Sequence, residues 1–84
     1  MTYGEIEATV KDVLAKQLTM ETGRINLESR LVEDLGIDSF GSVEVAFELE
    51  EKFDLKIPDA ALYEAKTVKN IVDYIASQKE GPLK

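Results

Sequence analysis

Apolar residues at Tyr3, Ile6, Val10, Val13, Leu14 and Leu18 recur at the three- and four-residue intervals of one helix face. Thr2-x-x-Glu5 stands in front of them with the form of a capping box. The spacing predicts a helix over about residues 3–18. Residues 19–38 keep neither the helix nor the strand period, yet Ile25, Leu27, Leu31, Leu35 and Ile37 recur along them and require burial. This stretch reads as a long loop held against the core, a length that is unusual unless functional. Leu31, Val32 and Leu35 fit one short helical turn, and Gly36 breaks the chain ahead of Asp38.

Asp38 is a good N-cap, and the pattern after it predicts a helix from Ser39 to about Phe53. Ile57-Pro58-Asp59 stops any continuation, because the residue before proline is pushed out of the helical region. Asp59 can cap a short helix containing Leu62 and Tyr63, and Thr67 a last one with Val68, Ile71, Val72 and Ile75 on one face. Gly81-Pro82 closes the pattern, so residues 1–79 are expected to form one domain and 80–84 a flexible tail. The expected fold is all-α: a four-helix bundle of three longer helices and one short, with the long loop between helices one and two.

The second helix carries two apolar stripes instead of one. At ~100° per residue from Phe40, the residues Val45, Leu49, Phe53 and Ala46 gather at ~140–240°, the core side. Phe40, Phe47 and Val43 gather around ~300–360°, flanked by Glu44, Glu50 and Glu51. Two large aromatics thus face away from the main core, ringed by carboxylates. Either they tuck under the long loop, or they form a docking face on which aromatics supply contact area and acids steer a basic partner.

Charge favours the second alternative. The chain has 84 residues and a formal net charge of −7. Residues 38–59 hold seven acids against two bases, and so carry five of those seven negative charges. Nucleic acid and anionic membrane surfaces are disfavoured as partners, since both need clustered Lys and Arg. Residues 1–7 lack the apolar core of a signal peptide, and no apolar run approaches the ~20 residues of a membrane span. With neither cysteine nor histidine, there is no thiolate nucleophile, no disulfide and no Ser-His-Asp arrangement. A reducing cytoplasm suits such a chain. Glu50 and Glu51 are adjacent, point ~100° apart on a helix and cannot act as a catalytic dyad. The EF-hand pattern is absent, and no metal site is expected.

The run Leu35-Gly36-Ile37-Asp38-Ser39-Phe40, with Val43-Glu44, Glu50-Glu51-Lys52-Phe53, Ile57-Pro58-Asp59, Thr67-Val68 and Asp73-Tyr74-Ile75, resembles the acyl carrier protein family over essentially the whole chain. The resemblance implies that Ser39, the serine after Asp38, receives 4′-phosphopantetheine from coenzyme A, and that the arm's thiol carries acyl groups as thioesters. That supplies the sulfur the chain lacks. It implies a carrier and not an enzyme: a monomer whose partners are a phosphopantetheinyl transferase and acyl-processing enzymes with basic docking surfaces. Phe40, Val43, Glu44, Phe47, Glu50 and Glu51 then form the face read by those partners. Leu31, Ala46, Leu49, Ile57 and Leu62 align with positions that line the family's acyl pocket. Two features depart from fatty-acid carriers. Phe40-Gly41 after the serine is similar to D-alanyl carriers, and Lys52 and Lys56 dilute the acidity of the segment. The cargo therefore stays open between a fatty-acyl or polyketide chain and an aminoacyl group, with an unmodified acidic adaptor domain as a further alternative.

Overall fold

The computed structural model of the chain describes residues 2–58, 61 and 64–79. Three α-helices account for most of them: α1 (Tyr3–Leu18), α2 (Ser39–Phe53) and α3 (Val68–Lys79), with a single 3-10 turn at Thr22–Arg24. Among the described residues there is no strand. One isolated antiparallel bridge joins Arg30 to Thr67. The all-helical expectation therefore holds. The expected short fourth helix falls largely on Asp59, Leu62 and Tyr63, which lie outside the described residues, as does the expected tail at 80–84. Around them, the Ala61 N–H bonds the Pro58 carbonyl and the Ala65 N–H bonds the Ala61 carbonyl, the latter at helical spacing.

Each helix begins where a side chain can satisfy the N–H groups that a first turn leaves free. Thr2 Oγ1 accepts from the Glu5 N–H at 3.1 Å while Glu5 Oε1 accepts from the Thr2 N–H at 2.9 Å, completing the capping box. Asp38 does the same for α2, where its side chain accepts from the Gly41 N–H. At α3, Thr67 Oγ1 accepts from the Asn70 N–H at 3.3 Å, and Asn70 Oδ1 accepts from the Thr67 N–H at 3.1 Å. Both α1 and α2 end on a residue in the left-handed region, Thr19 at φ 55° and Asp54 at φ 53°.

The core forms where α1 packs against both α2 and α3. It holds Ile6, Val10, Val13 and Leu14 from α1, Val45, Leu49 and Phe53 from α2, and Val68, Ile71, Val72 and Ile75 from α3. Burying so much branched aliphatic surface is the main favourable term for a chain this small.

The long loop is sealed to this core in two ways. Ile25, Leu31 and Ile37 are buried, and Leu27 and Leu35 pack partly against the cluster. The backbone then stitches the loop to the start of α3: the Val68 N–H donates to the Ser29 carbonyl at 3.1 Å and the Lys69 N–H to the Leu27 carbonyl at 2.9 Å. The Leu31 N–H donates to the Lys66 carbonyl. Two of the free N–H groups at the head of α3 are thus satisfied by the loop and not by solvent. Residues 31–35 form a hydrogen-bonded turn, in which the Asp34 N–H bonds the Arg30 carbonyl and the Gly36 N–H the Val32 carbonyl, both at helical spacing, and Val32 is turned outward, 66% exposed. Gly36 closes that turn at φ 72°, a conformation that costs an L side chain about 1 kcal/mol or more.

Candidate functional site

The turn and Gly36 deliver the chain to the head of α2, where Asp38 and Ser39 sit side by side and both are exposed. Asp38 is occupied by its capping role. Its Oδ1 accepts from the Gly41 N–H at 2.7 Å, and its carbonyl accepts from the Ser42 N–H and the Ser42 hydroxyl, each at 2.9 Å. A Cβ at position 41 would stand 3.2 Å from Asp38 Oδ1, so glycine there leaves the cap undisturbed.

Among the described residues, no hydrogen bond engages the Ser39 hydroxyl, which stands in solvent at the positive end of the α2 dipole. An anionic substituent on it would be favoured by that dipole and by the N–H groups of the first turn. No base is within reach to deprotonate it, because the chain has no histidine and the adjacent charge is the Asp38 carboxylate.

Below Ser39, the outer stripe of α2 is open. Phe40 is 71% exposed, Phe47 65% and Val43 49%, so the aromatics do not tuck under the loop. Among the described residues, Val32 in the preceding turn is a further exposed large apolar side chain. The acids around the stripe differ in their surroundings. Glu51 is exposed. Glu44 Oε1 accepts from Gln17 Nε2 of α1 at 2.6 Å, and Glu48 lies 3.5 Å from Lys16 Nζ. Glu50 is half-buried, and its Oε2 accepts from the Ile57 N–H at 2.9 Å. These long-range ties leave no trace in local periodicity.

The positions aligned with an acyl pocket divide three ways. Leu31, Leu49 and Ile57 are buried members of one core cluster, Leu49 completely. Ala46 is half-buried. Leu62 lies outside the described residues. Among the described residues, no cluster of His, Cys, Asp or Glu could hold a metal ion, and no helix is long and apolar enough to cross a membrane.

Comparison with known proteins places this geometry among relatives. The family profile described as "Phosphopantetheine attachment site" matches residues 8–75. The chain is similar to the acyl carrier protein of Helicobacter hepaticus, 44% identical over 71 residues that cover 84% of this chain and 93% of that one. The acyl carrier protein of Aster yellows witches'-broom phytoplasma is 46% identical over 66 residues, 79% of this chain and 87% of the relative. That of Campylobacter concisus is 41% identical over 66 residues, 79% and 86% of the two chains.

Proposed function

From the chain's membership of the phosphopantetheine-binding acyl carrier protein family, whose prosthetic group is covalently attached 4′-phosphopantetheine, we propose that Ser39 is the attachment point and that the protein presents acyl intermediates to fatty-acid or polyketide-type biosynthetic enzymes. The observation that carries this reading is the exposed, unengaged Ser39 hydroxyl at the Asp38-capped head of α2, inside the matched span. Once bound, the group supplies the thiol that holds cargo as a thioester.

The chain's own residues do the remainder. The first turn of α2 orients the serine and offers N–H dipoles to the phosphodiester. Asp38 fixes that turn. The Phe40, Val43 and Phe47 stripe, with Glu44, Glu50 and Glu51 around it, gives transferase and acyl-processing enzymes an apolar contact bordered by negative charge. Leu31, Ala46, Leu49, Ile57 and Leu62 are the positions between which an acyl chain is sheltered. In this reading residues 1–79 are the carrier domain, which works as a cytoplasmic monomer and performs no catalysis itself. Phe40-Gly41 supports a second reading in which the cargo is an aminoacyl group such as D-alanine.

The test of the attachment point is incubation with coenzyme A, magnesium and a broad-specificity phosphopantetheinyl transferase, followed by mass spectrometry. One phosphopantetheine is expected, on Ser39. Ser39→Ala is expected to fold normally and stay unmodified. Transfer to Ser29, Ser42 or Ser77, or no transfer at all, sinks the proposal and leaves the acidic adaptor reading.

A further inference from the structure

The last turn of α1 reaches across to an exposed acid of α2. Gln17 Nε2 donates to Glu44 Oε1 at 2.6 Å, a contact that spans 27 positions of sequence. The turn that carries Gln17 is itself fixed, because the Thr19 and Met20 N–H groups both end on the carbonyl of buried Ala15. Gln17 is half-buried, whereas Glu44 is exposed. The neighbouring residue makes a tie of the opposite kind. Lys16 Nζ lies 3.5 Å from Glu48 Oε2, which sets a positive charge against that carboxylate. Gln17 has no charge to set against Glu44. It holds one oxygen and leaves the negative charge in place, and among the described residues no hydrogen bond engages Glu44 Oε2.

We propose that Gln17 is a positioning residue for docking, which holds the Glu44 carboxylate in place, still charged and with one oxygen free for a partner's cation. An exposed glutamate side chain samples several rotamers, and a partner that binds it must immobilise it at a cost in entropy. The bond from α1 lowers that cost in the free protein, since both of its ends rest on helices packed into one core. A neutral amide donor does so without cancelling charge, as an ammonium at position 17 would. The partner group that fits is a lysine or arginine beside an apolar patch, because Glu44 flanks the exposed Phe40 and Phe47. That Glu44 meets a partner enzyme rests on the carrier reading. That Gln17 holds it is a property of the chain alone.

The experiment follows transfer from coenzyme A by a broad-specificity phosphopantetheinyl transferase, with magnesium, over a range of concentrations of the chain. Gln17→Ala and Gln17→Met both remove the donor, and methionine keeps the length and packing of the side chain. Each is expected to raise KM about threefold, the effect of freeing one side chain, with kcat, Tm and the salt dependence of kcat/KM unchanged. In a Glu44→Ala background neither is expected to raise KM further, since no carboxylate remains to be held. An unchanged KM in both variants overturns the proposal. So does a wild-type KM in Gln17→Met alone, which makes the effect one of packing, or a fall in Tm in step with the rise in KM, which makes the tie structural. The same rise on top of Glu44→Ala also overturns it, because Gln17 would then touch the partner itself. Failure of the carrier reading shows separately, as absence of phosphopantetheine on the wild-type chain, and removes the proposed partner with it.

Discussion

The Tyr3 hydroxyl donates a 2.6 Å hydrogen bond to Asp73 Oδ1, joining the first residue of α1 to the middle of α3 across 70 positions of sequence. Lys69 Nζ lies 2.7 Å from the other carboxylate oxygen, so Asp73 serves both helices. Lys69 first, then Tyr3, hold the Asp73 carboxyl below the usual carboxylate range. In return, the hydrogen bond to Asp73, with smaller help from burial, pushes the Tyr3 hydroxyl up to about 12.

Removing that hydroxyl tests the tie. Tyr3→Phe is expected to lower stability by about 1 kcal/mol, roughly 4–8 °C in Tm for a domain this size. The pH dependence follows from the signs of the two shifts. The lowered Asp73 value contributes stability that is present above ~3.9 and is lost as pH falls through its depressed folded value. The raised Tyr3 value contributes stability that is present below ~10 and is lost as pH rises from there through about 12. Thermal unfolding across both ranges should show the variant losing less at the alkaline end than the wild type. Parallel curves would mean that the pair does not form.

Asp38 separates capping from charge. Asp38→Asn keeps a side-chain oxygen for the Gly41 N–H and is expected to retain near wild-type stability, whereas Asp38→Ala should lose about 1 kcal/mol. Measured rates of phosphopantetheine transfer then divide the roles. A slow Asn variant makes the carboxylate itself part of what the transferase reads, and a normal one confines Asp38 to holding the turn.

The open stripe of α2 predicts defects in docking without defects in folding. Glu51→Lys is expected to reduce kcat/KM for a partner enzyme and to flatten its dependence on salt, because steering acts on association. Phe47→Ala should raise KM with little change in salt dependence. Neither should move Tm by more than a few degrees, since Phe47 is 65% exposed and Glu51 is exposed as well. Equal losses of activity and Tm would make these side chains structural.

Cargo is tested by what it does to the core. Each methylene taken from water is worth about 0.8 kcal/mol before the helices part to admit it. Octanoyl loading of the holo protein is therefore expected to raise Tm and to shift NMR signals at Leu49 and Ile57, and D-alanyl loading to do neither. No stabilisation by octanoyl would favour the aminoacyl reading that Phe40-Gly41 supports.

The sequence by itself determined the extents of α1 and α2 and the opening of α3 at Thr67. It also placed Ser39 beside its cap and turned Phe40 and Phe47 away from the buried Val45, Leu49 and Phe53. All of these follow from local physics: side-chain period around a helix, and caps that reach three residues. Only the tertiary structure decided where the irregular stretches attach. That the heads of α3 and α2 lie under one loop depends on the Ser29 and Leu27 carbonyls meeting the Val68 and Lys69 N–H groups, a backbone pairing that any side chains would permit. Likewise Tyr3 finds Asp73, Gln17 finds Glu44 and Glu50 finds the Ile57 N–H only after the core has brought the helices together. On a helical wheel Glu44, Glu50 and Glu51 are equivalent acids. In the folded protein Glu51 faces solvent, Glu44 is bonded across to α1, and Glu50 holds the exit of its own helix, because packing chooses each carboxylate's neighbours.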